Sequence, residues 1–381
     1  MIRLDEVKEL LDLTYRMRLE GLEQITPHLI GPPGVGKSTV VYEWAVEKAR
    51  SVHKQFVDYD TITTEDVSRI LRSPQEYFVF ADKRLTGMDP VDFSGIPRPL
   101  QPYSFVRFLP LDLAKLLSVC AGVLFLDELL NEQRPNMRAA AFKLVRDYKI
   151  GDLAMSREAM VIAASNSAEY SSLVETISKP LRDRFVFIPV GAPSLEAWAD
   201  WMDRRYGAEN WYRNTLAYLH WKPTDFLTNI EDLGTDNGWE PPATPRGWTY
   251  VSLAFKRAPK KYWPVIAAGK LGQVGERLVA FLENKVPSFK ELVARPSVIA
   301  NFSIEQKYLA AMTVAEAINV NKRNIRPAIA FVDFIARNDD REIISALFAF
   351  LEQKRRAELY AAVRNNPVIY EALKATGRAL L

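Results

Sequence analysis

Through the first half of the chain, short apolar runs of strand length alternate with stretches whose apolar residues recur every three or four positions. That alternation predicts a parallel α/β sheet. The opening MIRLDEVKELLDLTYRM sets Leu4, Val7, Leu10 and Leu11 at helical spacing among acids and bases, an amphipathic helix within 1–20. A short apolar stretch, ITPHLI (25–30), leads into a glycine-rich loop, and a helix is expected over 37–50. Strand character follows in KQFVDYD (54–60), YFVFADKRL (77–85), GVLFLDEL (122–129), AMVIAASN (159–166) and FVFIPV (185–190). Between them, helices are expected in TTEDVSRILR (63–72), LDLAKLLSVC (111–120) and RPNMRAAAFKLVRDY (134–148). Thr63 or Thr64 would cap the first of these ahead of Glu65 and Asp66. MDPVDFSGIPRP (88–99) reads as loop and KIGDLAM (149–155) as a small hairpin. From about residue 193 strand signals stop, and SLEAWADWMDRRY, GERLVAFLENK, IEQKYLAAMTVAEAI and REIISALFAFLEQKRR read as amphipathic helices. An α/β domain over 1–192 and an all-helical remainder are therefore expected.

Composition narrows the classes. Of 381 residues, 48% are hydrophobic and 25% charged, the balance of a globular protein of two or three domains. The longest apolar run, VCAGVLFL (119–126), is far short of the roughly 20 residues that span a membrane, so no membrane role is expected. The amphipathic opening lacks the apolar core of a signal peptide. Cys120 is the sole cysteine, which excludes an internal disulfide and a thiolate metal cluster. His28, His53 and His220 are not at ligand spacing from one another. A net charge of +3 neither demands nor forbids nucleic acid. A reducing, cytoplasmic setting is expected.

Two motifs carry chemistry. GPPGVGKS (31–38) fits the phosphate-binding pattern G-x-x-x-x-G-K-[ST]. In the loop that also holds Pro32, Pro33 and Val35, Gly31, Gly34 and Gly36 let backbone N–H groups close around phosphate oxygens in conformations a Cβ would hinder. Lys37 reaches the β and γ phosphates, Ser38 offers a hydroxyl to Mg²⁺, and Thr39 continues the helix whose N-terminal dipole faces the anion. VLFLDE (123–128) then places two carboxylates at the end of a buried strand, where ligands of parallel sheets sit. Asp127 would hold Mg²⁺ through water, and Glu128 would polarise the attacking water. Guanine selection by an N-K-x-D element is missing, since NKRN (321–324) lacks the Asp, and ATP is the favoured nucleotide. Asn166, ending the strand AMVIAASN, has two readings: an amide that orients water or a γ-phosphate oxygen, or a loop cap.

Together these residues resemble the AAA+ ATPases, and more closely their MoxR-like, dynein-related branch. GPPGVGKS is similar to its Walker A, LFLDE to its Walker B, and Asn166 to its sensor 1. DPVDFSGIP (89–97), RAAAFKLVRDYKIGDLAM and ATPRGW (243–248) resemble further elements of the branch, the last being its sensor 2. The resemblance runs through about residue 300 and is weak beyond. It implies a P-loop (AAA+) parallel sheet over 1–192, a helical lid with sensor 2 over 193–300 and a helical extension over 301–381. It also implies ATP and Mg²⁺ as cofactors and a homo-oligomeric ring, usually a hexamer, with ATP at subunit boundaries. Partner remodelling or activation would follow, with a von Willebrand factor A domain protein as a candidate partner.

The arginines have separate readings. Thr244 suits an N-cap and Pro245 the first helical position, leaving Arg246 in a first turn that disfavours a cation. A nearby phosphate would explain it; a plain surface or packing arginine is the alternative. KPLRDRF (179–185) carries Arg182 and Arg184 two positions apart, which in a helix point to roughly opposite sides. Only one can reach a neighbour's ATP. Family members resemble P-L-x-x-R-F here, which aligns Arg184 with the arginine finger. A nucleic-acid motor on the same scaffold is the alternative function, motivated by the basic clusters KRAPKK (256–261), NKRNIR (321–326) and QKRR (353–356). YFVFADKRL and KIGDLAM are candidates for hairpins lining a pore.

Overall fold

Six apolar runs pair into one parallel sheet in the computed structural model, which describes residues 2–22, 25–100, 105–129, 134–166, 183–228 and 240–375. The strands are β1 (Thr26–Gly31), β2 (Gln55–Asp58), β3 (Tyr77–Arg84), β6 (Ala121–Asp127), β9 (Ala159–Asn166) and β10 (Phe185–Pro189). Their order is β10-β1-β9-β6-β3-β2. The chain divides into two compact units, Met1–Ala192 and Pro193–Leu381.

In the first unit, β6 is buried along its whole length and β9 at every residue except Asn166. Continuous apolar strands of this kind need helices on both faces. The helices of this unit are α1 (Leu4–Leu19), α2 (Lys37–Ser51), α3 (Thr64–Arg72), α4 (Pro90–Ser94), α5 (Asp112–Val119) and α6 (Pro135–Asp147). α1 buries Val7, Leu11 and Tyr15. Its Arg18 is buried too, donating to the Ala159 and Ser156 carbonyls beneath the Tyr148 ring. α3 is closed by a capping box in which Thr63 and Asp66 serve each other's backbone N–H groups. The expected hairpin at KIGDLAM is present as β7 (Lys149–Ile150) and β8 (Leu153–Ala154).

Two expectations fail. YFVFADKRL is no free hairpin, because its strand β3 lies inside the sheet between β2 and β6. Its alternating aromatic pattern suits a hairpin or a central strand equally, and only the partner strands decide. The presumed loop 88–99 holds α4 and the strand β4 (Ile96–Leu100), which pairs antiparallel with β5 (Phe105–Leu109). Pro97 and Pro99 suggest a loop, but prolines are tolerated in the edge strands of a two-stranded hairpin.

The second unit has helices and no strand among its described residues. Trp211, Tyr218, Trp248 and Phe281 are almost fully buried in it. Asp225 is buried beside them and accepts from Tyr218 Oη at 2.5 Å and from Arg277 at 3.0 Å. The backbone carbonyl of Asp225 takes the Trp248 indole N–H at 2.9 Å. No described helix is long and apolar enough to cross a membrane.

Candidate nucleotide site

β1 ends at Gly31, and the chain turns through the glycine loop into α2. Two glycines there answer different needs. A Cβ on Gly31 would stand 2.1 Å from the Val190 carbonyl oxygen, so this position is fixed by strand packing. Gly36, the N-cap of α2, adopts φ +111°, a conformation that side-chain-bearing residues rarely adopt. α2 begins with no side-chain cap and no acid in its first turn, which leaves its N-terminal N–H groups available to an anion. Val35 packs inward, whereas Thr39 is exposed.

Lys37 is buried at the first position of α2, where the helix dipole disfavours a cation. Its ammonium donates to the Gly31 and Pro32 carbonyls, each at 2.8 Å, and to Asn166 Oδ1 at 3.1 Å. One turn of chemistry away, Ser38 Oγ donates to Asp127 Oδ2 at 2.9 Å. The carboxyl ends of β1, β9 and β6 thus bring Lys37, Asn166, Ser38 and Asp127 together. Asn166 faces Gly31 across the β1–β9 ladder, so its amide lies beside the loop.

Glu128 leaves β6 with φ +56°, a left-handed conformation that is uncommon for a residue with a long side chain. Its N–H turns back to Asp127 Oδ1 at 2.9 Å. Backbone strain of this kind costs about 1–3 kcal/mol and persists where the surroundings enforce it.

One acid at this edge was not anticipated. Asp82 is on β3, on the sheet face that carries Phe80, Phe125 and Asp127. Burial and, next, the Asp127 carboxylate push Asp82 up to about 6. The signal is visible afterwards: FVFAD (78–82) repeats the form of LFLD (124–127), an apolar run ending in Asp.

The donor set fits the expected ligand. A hydroxyl already bonded to a carboxylate, an ammonium beside an uncapped helix start, and hard oxygen ligands suit phosphate with Mg²⁺.

Arg184 is placed elsewhere. Its carbonyl accepts from Thr26 N–H at 3.1 Å, at the start of β1 and β10, and its side chain is exposed. With about 3.3 Å of rise per strand residue, the length of β1 separates it from the glycine loop by roughly 16 Å. Arg182 lies outside the described residues. In the second unit, Thr244 Oγ1 accepts from Gly247 N–H and Pro245 begins the helix Pro245–Phe255, leaving Arg246 exposed in the first turn.

Several basic residues of the clusters are engaged by the fold. Arg257 donates to the Asn210 and Leu253 carbonyls, Arg355 pairs with Glu358 at 2.8 Å, and Arg356 donates to the Phe348 and Leu351 carbonyls.

No family model and no curated protein matches the chain. Among solved structures it is similar to RuvB of Thermotoga maritima. One mutant RuvB aligns at 12% identity and TM-score 0.35 over 81% of this chain and 88% of that one. A RuvB described as a Holliday junction branch migration motor aligns at 15% identity and TM-score 0.28, over 98% of this chain and 87% of that one.

Proposed function

We propose that the chain is a MoxR-like AAA+ ATPase that hydrolyses Mg-ATP at the subunit boundaries of a homo-oligomeric ring. Turnover would drive remodelling or activation of a partner protein, for which a von Willebrand factor A domain protein is the candidate. The observation that carries this reading is the meeting of Lys37, Ser38, Asp127 and Asn166 at the carboxyl ends of β1, β6 and β9. Ligands of open parallel sheets bind at that edge.

In this reading, residues 31–39 hold the phosphates, and Lys37 pairs with their oxygens. Ser38 and Asp127 would hold Mg²⁺, which would supply positive charge beside the phosphates. Glu128 accepts the proton of the attacking water, and Asn166 keeps that water or a γ oxygen in place. Arg184 lies too far from its own glycine loop to act there, so it is assigned to the site of a neighbouring copy. Arg246 is assigned to the lid, residues 193–300, with 301–381 as an extension. The nucleic-acid motor is the weaker reading, because Arg257, Arg355 and Arg356 are engaged within the fold.

The test is phosphate release by the purified full-length chain with Mg-ATP, alone and with partner protein. Glu128→Gln is expected to bind ATP as wild type does and to turn over about 10²–10⁴-fold more slowly, the usual contribution of a general base. Wild-type protein that binds no nucleotide, or a Glu128→Gln variant that hydrolyses normally, overturns the assignment.

A further inference from the structure

Asp82 is a carboxylate without an evident job. Its Oδ1 is buried and, among the described residues, has no hydrogen-bond partner. A buried oxygen left this way costs about 1–3 kcal/mol, more when charged, so a stable fold is expected to carry few of them.

The charges around it do not remove the problem. Asp82 is opposite Phe125 in the β3–β6 register, and Arg84 is opposite Asp127. Side chains alternate along a strand, so Asp82 and Asp127 share one face as diagonal neighbours. With strands about 4.8 Å apart and a rise of about 3.3 Å per residue, such neighbours lie about 8 Å apart between Cα atoms, near enough for both carboxylates to face one hydrated cation. The Phe80 ring stacks on Phe125 and meets Tyr42 of α2 edge-on, which identifies this as the face that α2 covers. Ser38, also on α2, bonds Asp127 on the same face. Lys83 is directed instead to Asp60 and the Tyr59 ring. Arg84 is exposed, and Asp60 adds a further negative charge to the surroundings.

Two carboxylates on one partly buried face repel each other unless a cation lies between them. Mg²⁺ keeps several of its waters when bound to protein, and those waters are hydrogen-bond donors. We propose that Asp82 is an outer-shell residue of the metal site, its Oδ1 accepting from water on the Mg²⁺ that Ser38 and Asp127 hold. This inference rests on the nucleotide reading above and adds to it a residue from a third strand. Asp82 then acts through the metal's water and touches neither the phosphates nor the attacking water.

Asp82→Asn tests it, because it keeps the shape and removes the charge. Fluorescent ADP is titrated into wild-type and variant full-length protein at pH 8 in EDTA, and the affinities are expected to match. Mn²⁺ is then titrated into each ADP complex, with free Mn²⁺ read by electron paramagnetic resonance. The variant is expected to bind Mn²⁺ about ten-fold more weakly, the usual order for loss of an outer-shell partner. Metal-free melting temperature is the third reading, and it is expected to rise in the variant as the carboxylate repulsion is relieved. Equal Mn²⁺ affinities overturn the role of Asp82 and leave the nucleotide site intact. A variant that melts lower without metal, or loses ADP in EDTA, overturns it in favour of a structural role. Wild-type protein that takes up no ADP under any condition overturns the nucleotide reading and this inference with it.

Discussion

In the helical unit, the buried carboxylate of Asp225 accepts from Tyr218 and Arg277, and its carbonyl takes the Trp248 indole. At the carboxyl edge of the sheet in the α/β unit, polar groups are left less complete. Asp82 Oδ1 has no described partner, α2 starts without a cap, and Glu128 sits in a left-handed conformation. The two regions use similar residues with opposite results. Where a polar group is completed from within, it fixes packing and specifies one arrangement. Where several incomplete or strained groups collect at one strand edge, their missing partners are expected to arrive from outside. On the proposed function, chemistry belongs to the sheet edge; the helical unit also holds such an atom, Arg213 Nε, but there the same guanidinium is otherwise held by Asp203 and the Phe350 carbonyl.

The largest expected effect sharpens that division by asking whether one sheet edge is complete in itself. Arg184 is at the opposite end of β1 from the glycine loop. As a finger acting between copies, it would contribute about 10³–10⁵-fold to turnover, as in related phosphoryl transfers. Arg184→Ala and Lys37→Ala proteins should each be inactive alone, and mixtures should recover activity. In the mixture, a Lys37→Ala subunit still offers its arginine to a neighbour whose glycine loop is whole. Mixtures that stay inactive would mean that each site is completed within one chain, or by Arg182.

How much of this was legible in the sequence follows the same division. The α/β sheet, its strand at 122–129 and the glycine loop are readable because chemistry and burial there restrict residue type over contiguous positions. The meeting of Lys37 with Asn166 is not local, since it depends on β9 pairing beside β1. Asp82 was hidden for that reason as well. Its segment reads as strand, yet only pairing with β6 gives it Asp127 as a neighbour. The strand β4 was masked by Pro97 and Pro99, whose turn signal is correct for most sheets and fails on a two-stranded edge. The basic clusters are ambiguous for a different reason. A sequence shows how many cations are close together, and it does not show which helix-end carbonyls they will meet.

A smaller effect tests whether one unpartnered atom is enough to mark a functional site. His28 Nδ1 has no described partner, yet His28 is in the middle of β1, with Nε2 2.9 Å from Ser165 Oγ and rings of Phe185 and Phe187 alongside. Burial pushes this histidine down to about 3, against an ordinary 6.5, so the folded chain keeps it neutral. The unfolded chain takes up a proton below 6.5. Its contribution to stability is thus full above pH 6.5 and is lost as the pH falls toward 3, by up to about 1.4 kcal/mol per pH unit. Urea unfolding between pH 7.5 and 4.5 should show a steeper loss in wild type than in His28→Gln, with hydrolysis by the folded variant unchanged at pH 8. Equal pH slopes would mean that His28 is hydrated or paired, and altered hydrolysis would extend the functional edge into the strand.

The smallest effect comes from the helical unit, at a cation that the sequence groups with nucleic-acid-binding clusters. Arg356 Nε donates to the Phe348 carbonyl at 2.9 Å and Nη2 to the Leu351 carbonyl at 3.1 Å. These carbonyls lie at the end of the helix Arg341–Phe350, where Leu351 N–H also donates to the Phe348 carbonyl and a cation is favoured by the dipole. Arg356→Ala should therefore lower stability by about 1 kcal/mol, read as a shift in the urea midpoint. Lys354, exposed on the same stretch, should tolerate alanine without a measurable shift. ATP turnover should be unchanged in both. A nucleic-acid groove would reverse this pattern: both substitutions would flatten the salt dependence of binding by about one unit of slope each, and stability would hold. That outcome would move function into the helical unit and undo the contrast between the two regions, because a residue completed by the fold would then also serve a ligand.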